Sequence, residues 1–175
     1  MRRITEEEVE QLKPLYDLSK EIRGSFLDQA IIVESFIDEI ISQHFCPEKT
    51  RRILYFSSVP PELTFHRKIK IFETILETCY PKLIERHSNL MKEIDEIRAF
   101  RNRIAHSILE SSRNFLKEGY TDRIWLRYYK KGKMKRLVVK REDMKERLKG
   151  CTRVILALVD IQKEVIVSSE DSSKP

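Results

Sequence analysis

Three observations predict a mainly α fold. Apolar residues recur at three- and four-residue spacing over most of the chain. Only four glycines and six prolines occur in 175 residues, too few for disorder or a many-turned β protein. One stretch, residues 123–141, changes to a two-residue alternation rich in aromatics, as strands do. The expected architecture is an antiparallel helical bundle with a C-terminal β-hairpin and a final helix. It forms a single domain over residues 1–175, with its helical core at about 20–115.

Each element has its own signal. Thr5-Glu6-Glu7-Glu8 reads as an N-cap with acids in the first turn, opening a helix that Pro14 kinks or restarts. A second helix over about 21–45 carries the stripe Phe26, Ala30, Val33, Ile37, Ile40 and Ile41. Leu27, Ile31 and Ile32 widen that stripe, which suggests burial against both the core and a second subunit. Pro47 ends it. Residues 46–61 read as a connector with Leu54-Tyr55-Phe56 as an apolar plug. From Glu62 a helix places Phe65, Ile69, Phe72, Leu76 and Cys79 on one face, and Pro81 breaks it. Another helix runs from about Ser88 toward His106, with a continuation to Phe115 in view. The hairpin at 123–141 turns at Lys130-Lys131-Gly132-Lys133, with Ile124, Leu126 and Tyr128 expected inward and Trp125, Arg127 and Tyr129 outward. The final helix, about 142–167, should bury Met144, Leu148, Cys151, Ile155, Leu158 and Val159, and residues 168–175 have the composition of a frayed end.

One helix departs from core patterning. Its stripe Leu90, Ile94, Ile97, Ile104 and Ile108 is interrupted at Arg101, where another aliphatic is expected, and Asn102 and His106 follow. Such departures are where function concentrates. Two plainer readings exist: the Arg can snorkel, and a His near a helix end can serve the helix dipole.

Arg101-Asn102-Arg103-Ile104-Ala105-His106 resembles the R-x4-H signature of the HEPN superfamily, the small helical domains of many toxin and defence ribonucleases. The polar Asn102 after the Arg and the small Ala105 before the His fit that signature. Upstream, Leu63–Phe72 is similar to the helix start that precedes it in several HEPN families, so the resemblance covers roughly residues 22–110. It implies a metal-independent endoribonuclease of toxin or phage-defence type, with Arg101, Asn102 and His106 as the catalytic residues. It also implies a homodimer whose paired motifs line one cleft, and a possible antitoxin or defence-system partner protein. Some HEPN toxins carry a Tyr two residues past the His; Ile108 stands there. Other HEPN proteins are non-catalytic, so the alternative is a dimeric binding module for RNA or a partner protein.

The chemistry of these residue types fits RNA cleavage through a 2′,3′-cyclic phosphate. Attack by the 2′-hydroxyl needs a group that moves protons near neutral pH, which histidine supplies. The crowded phosphorane needs a planar two-pronged donor, which arginine supplies. Asn102 can hold the phosphate or the imidazole. On an ideal helix Arg101 and His106 lie about 140° apart. Either the helix bends before His106 or two chains contribute.

The remaining signals are broader. The excess of 34 Lys+Arg over 28 Asp+Glu gives +6 with pI near 9.2, which suits a polyanionic partner such as RNA. Nine cations lie between Arg123 and Arg141. With Trp125, Tyr128 and Tyr129 they read either as an RNA contact or as edge strands guarded against aggregation. RNA-binding candidates are Arg98, Arg103, Trp125, Arg127, Tyr129, Lys131 and Lys133. Cys46, Cys79 and Cys151 are far apart, and neither His44 with Cys46 nor His66, His87 and Cys79 has metal-ligand spacing, so no metal and no cofactor are expected. Glu34 and Asp38 read as makers of surface ion pairs, and Glu93, Asp95 and Glu96 as partners of Arg98 or restraints on Arg101. No apolar signal core follows Met1-Arg2-Arg3 and no membrane-length apolar run occurs, so a cytoplasmic location without membrane contact is expected.

Overall fold

The computed structural model describes residues 5–111 and 122–171. The chain is mainly helical, with a small three-stranded antiparallel sheet and a C-terminal helix. In order, the elements are α1 (Glu6–Phe45), α2 (Lys49–Ser58), a 3-10 turn (Pro60–Glu62), α3 (Phe65–Cys79), α4 (Pro81–Arg86) and α5 (Leu90–Ala105). Then come β1 (Ile108–Leu109), β2 (Arg123–Lys130), β3 (Lys133–Lys140) and α6 (Arg141–Asp171). The chain divides into two compact units. One holds residues 1–28 and 100–149, and the other residues 29–99 and 150–175. No described helix is long and apolar enough to cross a membrane.

The first unit is built on the start of α1, the end of α5, the sheet and the start of α6. Pro14 lies inside α1, so the helix runs through it and does not restart there. It forfeits one backbone hydrogen bond, while Leu12, Leu15, Leu18, Ile22 and Phe26 stay buried on both sides of it, so packing carries the helix through. The Phe26 and Phe100 rings meet edge to face at 4.8 Å, and the Arg147 guanidinium lies 3.8 Å from the Phe100 ring centre. Arg141 on α6 pairs with Glu21 on α1 at 2.8 Å. In the sheet, Trp125 pairs with Val138 and Arg127 with Arg136, and Ile124, Leu126 and Val139 are buried on the inward side. The two-residue connection has positive φ at both Lys131 (51°) and Gly132 (73°), the twist that matches a tight hairpin. The sequence did not indicate β1, which pairs with β2 through Ile108 opposite Arg127 and Leu109 opposite Leu126.

The second unit packs the later part of α1 with α3, α4 and parts of α5 and α6. The α1 stripe Ala30, Val33, Ile37, Ile40 and Ile41 is buried, as are Phe65, Ile69, Phe72 and Leu76 of α3. Thr64 caps α3 by accepting from the Arg67 backbone N–H at 3.4 Å. Cys79 is exposed rather than part of that face. Glu34 and Asp38 do not form surface pairs. Both accept from Lys68 Nζ, each at 2.7 Å, in a buried triad joining α1 to α3. Arg86 of α4 bridges Asp160 and Glu164 of α6, and Arg153 of α6 reaches Glu93 of α5 at 3.6 Å.

Within the stretch 46–61, Lys49–Ser58 forms helix α2 rather than a connector, and its Tyr55 is half-buried beside Phe45. No residue of α2 is buried, and Ile53 and Leu54 are 61% and 65% exposed. Helix α6 continues to Asp171, past the expected end at 167, and residues 172–175 fall outside the described ones. Its buried line is Met144, Cys151, Val154, Leu158, Ile161 and Val165. Leu148, Ile155 and Val159 flank that line half-buried.

Candidate functional site

The R-x4-H residues lie at the C-terminal end of α5, which stops at Ala105. The expected continuation toward Phe115 does not occur: His106 is in a turn, β1 follows at Ile108, and residues 112–115 lie outside the described ones. Ile108 is therefore exposed on a strand rather than the last member of the apolar stripe. A helix end leaves carbonyls without intrahelical partners, and here they are taken up one by one. His106 N–H donates to the Asn102 carbonyl at 3.2 Å, and the Ser107 hydroxyl donates to the Arg103 carbonyl. Ile104 carbonyl accepts both Ser107 N–H at 3.3 Å and the Arg23 guanidinium of α1 at 3.1 Å. The turn bearing His106 is thus fixed from two directions.

Arg101 is half-buried between the buried residues Ile97 and Ile104. Its guanidinium donates to the Asn102 side-chain oxygen at 3.2 Å. Among the described residues no carboxylate pairs with it. Asn102 therefore holds the arginine, rather than the imidazole considered from sequence. His106 is exposed, and its ring makes no hydrogen bond to any described group. The sequence argument from an ideal helix required a bend before His106 or a second chain. The helix ends at Ala105, one residue before the histidine, and His106 N–H still closes a helical bond to the Asn102 carbonyl. The acids upstream do not restrain Arg101. Asp95 pairs with Arg98 at 2.8 Å, a contact that holds the Asp95 carboxyl below its ordinary range, and Glu93 pairs with Arg153.

The other candidates separate. Arg98 belongs to the second unit, whereas Arg103, Trp125, Arg127, Tyr129, Lys131 and Lys133 belong to the first, with Arg101, Asn102 and His106. Arg103 lies 5.5 Å from the Phe100 ring centre. Tyr129, Lys131 and Lys133 are exposed at the hairpin tip, and Trp125 and Arg127 are half-buried. Sequence reading missed Arg23, Glu110 and Arg136. Glu110 is buried and accepts from Arg136 at 3.2 Å. A lone Glu after an unrecognised two-residue strand gave no signal. Among the described residues no three His, Cys, Asp or Glu side chains group to hold a metal ion. His44 Nε2 and Cys79 Sγ stand 4.0 Å apart in the second unit, and burial lowers the His44 pKa.

Comparison with known proteins finds no matching family model, no matching curated protein and no matching solved structure.

Proposed function

We propose that the chain is a metal-independent endoribonuclease, similar to HEPN-superfamily domains of toxin and defence systems, that cleaves RNA at the end of α5. The observation that carries this reading is Arg101. It is a half-buried guanidinium on a core-facing stripe, held by Asn102 and, among the described residues, without an acidic partner. A cation desolvated on one side and uncompensated costs stability unless something anionic is to meet it. A phosphorane offers the matching pair of oxygens. In this mechanism the 2′-oxygen attacks phosphorus as its proton leaves, the 5′-oxygen departs with a proton, and a 2′,3′-cyclic phosphate remains. His106, exposed on a turn tied to Asn102, supplies one of the two proton transfers. A second copy of the chain supplies the other, which makes the homodimer the active form.

One observation favours a second reading, a non-catalytic dimeric module that binds RNA or a partner protein. Among the described residues the His106 ring has no hydrogen bond to fix its tautomer or orientation, as a proton-transfer histidine usually does. His106→Ala separates the two. The nuclease reading expects wild type to cut structured RNA in EDTA, and His106→Ala to bind that RNA without cutting it. If neither protein cuts across varied RNAs while both bind equally, the binding module replaces the nuclease.

A further inference from the structure

We propose that the outward face of the sheet is a track for an unpaired RNA strand that leads to the end of α5. This inference rests on the ribonuclease reading for its destination, though not for its affinity. The register decides which residues form the face. Cross-strand partners share a side, so Ile108, Arg127 and Arg136 form one row, and Tyr129 with Met134 another. Ile124, Leu126 and Val139 are buried on the opposite side, which sets the row facing outward. Tyr129 is 72% exposed, and Met134 and Val138 are 49% and 46% exposed. These are flat and apolar surfaces beside Arg123, Arg127, Arg136 and Lys140, with the half-buried Trp125 on the same side. Among the described residues the acid on this face is Glu110, which is buried and accepts from Arg136 reaching across β2.

Guarding of sheet edges accounts for the cations of β3, which is an outer strand in the order β1-β2-β3. It does not account for Arg127. That residue lies on the middle strand, where β2 is paired on both sides. Among the described residues its buried Nε has no hydrogen-bond partner and no carboxylate pairs with it. It sits opposite Ile108, two residues beyond His106, so β1 ties the turn bearing His106 to the row that Arg127 occupies. Arginine for phosphate and an exposed tyrosine for a base plane are the combination that single strands use. A duplex keeps its bases stacked inside and offers the tyrosine nothing.

The test uses the His106→Ala full chain, so that cleavage does not intervene. Anisotropy is read on a labelled twelve-nucleotide oligouridylate and on a blunt RNA duplex of the same length. The strand should bind more tightly than the duplex. Tyr129→Ala should weaken strand binding by roughly 5- to 100-fold, the range of one base–aromatic stack, with Tyr129→Phe restoring it. Arg127→Gln should lower the slope of log affinity against log salt by about 1. Tyr129 is exposed enough that its alanine variant should melt as the parent does, which keeps the test open if Arg127→Gln fails to fold. Equal affinity of Tyr129→Ala and parent, or equal affinity for strand and duplex, overturns the track. Tight strand binding that Tyr129→Ala weakens, beside a wild type that cuts nothing, would sink the nuclease reading and leave the track standing.

Discussion

Arg101 and His106 have different demands, and their substitutions should fail differently. Arg101→Lys keeps the charge but loses the planar fork. It should lower cleavage by roughly 10²–10³-fold, as loss of a preorganised transition-state donor does, with little change in RNA affinity. Asn102→Ala releases the guanidinium and should cost less than Arg101→Lys, read as single-turnover cleavage rate. Arg23→Ala removes the side chain that meets the Ile104 carbonyl. It should destabilise by about 1–2 kcal/mol in urea melts, the net worth of a charge-assisted hydrogen bond in a half-buried setting. Arg101 stands out in the sequence because it breaks a helical stripe, and the structure places it half-buried on that stripe. Arg23 does not stand out, because its contact spans 81 residues and joins a side chain to a backbone carbonyl.

The elements show where pattern reading holds and where it stops. Period alone located α3 and the hairpin, since each buries one face. It misjudged α2, whose apolar residues stay exposed, and missed β1, too short to show alternation. Glu34 and Asp38 were misread because four-residue spacing says nothing of Lys68 on another helix. Lys68→Met leaves two carboxylates buried without their cation and should cost about 3–5 kcal/mol. The pH dependence has a definite sign. Burial alone would lower the Lys68 pKa, but hydrogen bonds to Asp38 and Glu34 raise it above the ordinary 10.5. Its contribution is complete below 10.5 and is lost as pH rises through the higher folded value. Asp38 has the same sign at a lower pH: burial raises its pKa despite Lys68, so stability is lost as pH rises above 3.8 through the higher folded value. Thermal melts of the wild type should therefore fall on the alkaline side above 10.5, and Lys68→Met should make that limb shallower.

For the molecule as a whole, the mainly helical architecture followed from composition and period, while the arrangement of the active form rests on exposed surface. Ile31 and Ile32 lie beside the buried α1 stripe and remain exposed, as do Ile53 and Leu54 on α2. If this face joins two copies, Ile31→Glu with Ile32→Glu should yield a monomer by light scattering and abolish cleavage while leaving the melt nearly unchanged. The +6 charge should make RNA binding fall steeply with salt. The central claim is the chemistry at Arg101 and His106, and it is tested most directly by changing one atom of the substrate. An RNA cut by the wild type in EDTA is resynthesised with a single 2′-deoxy nucleotide on the 5′ side of the mapped cut. Attack by the 2′-hydroxyl predicts that this RNA survives intact and that the unmodified one ends in 2′,3′-cyclic phosphate. Cleavage of the 2′-deoxy RNA at the same bond would contradict the account.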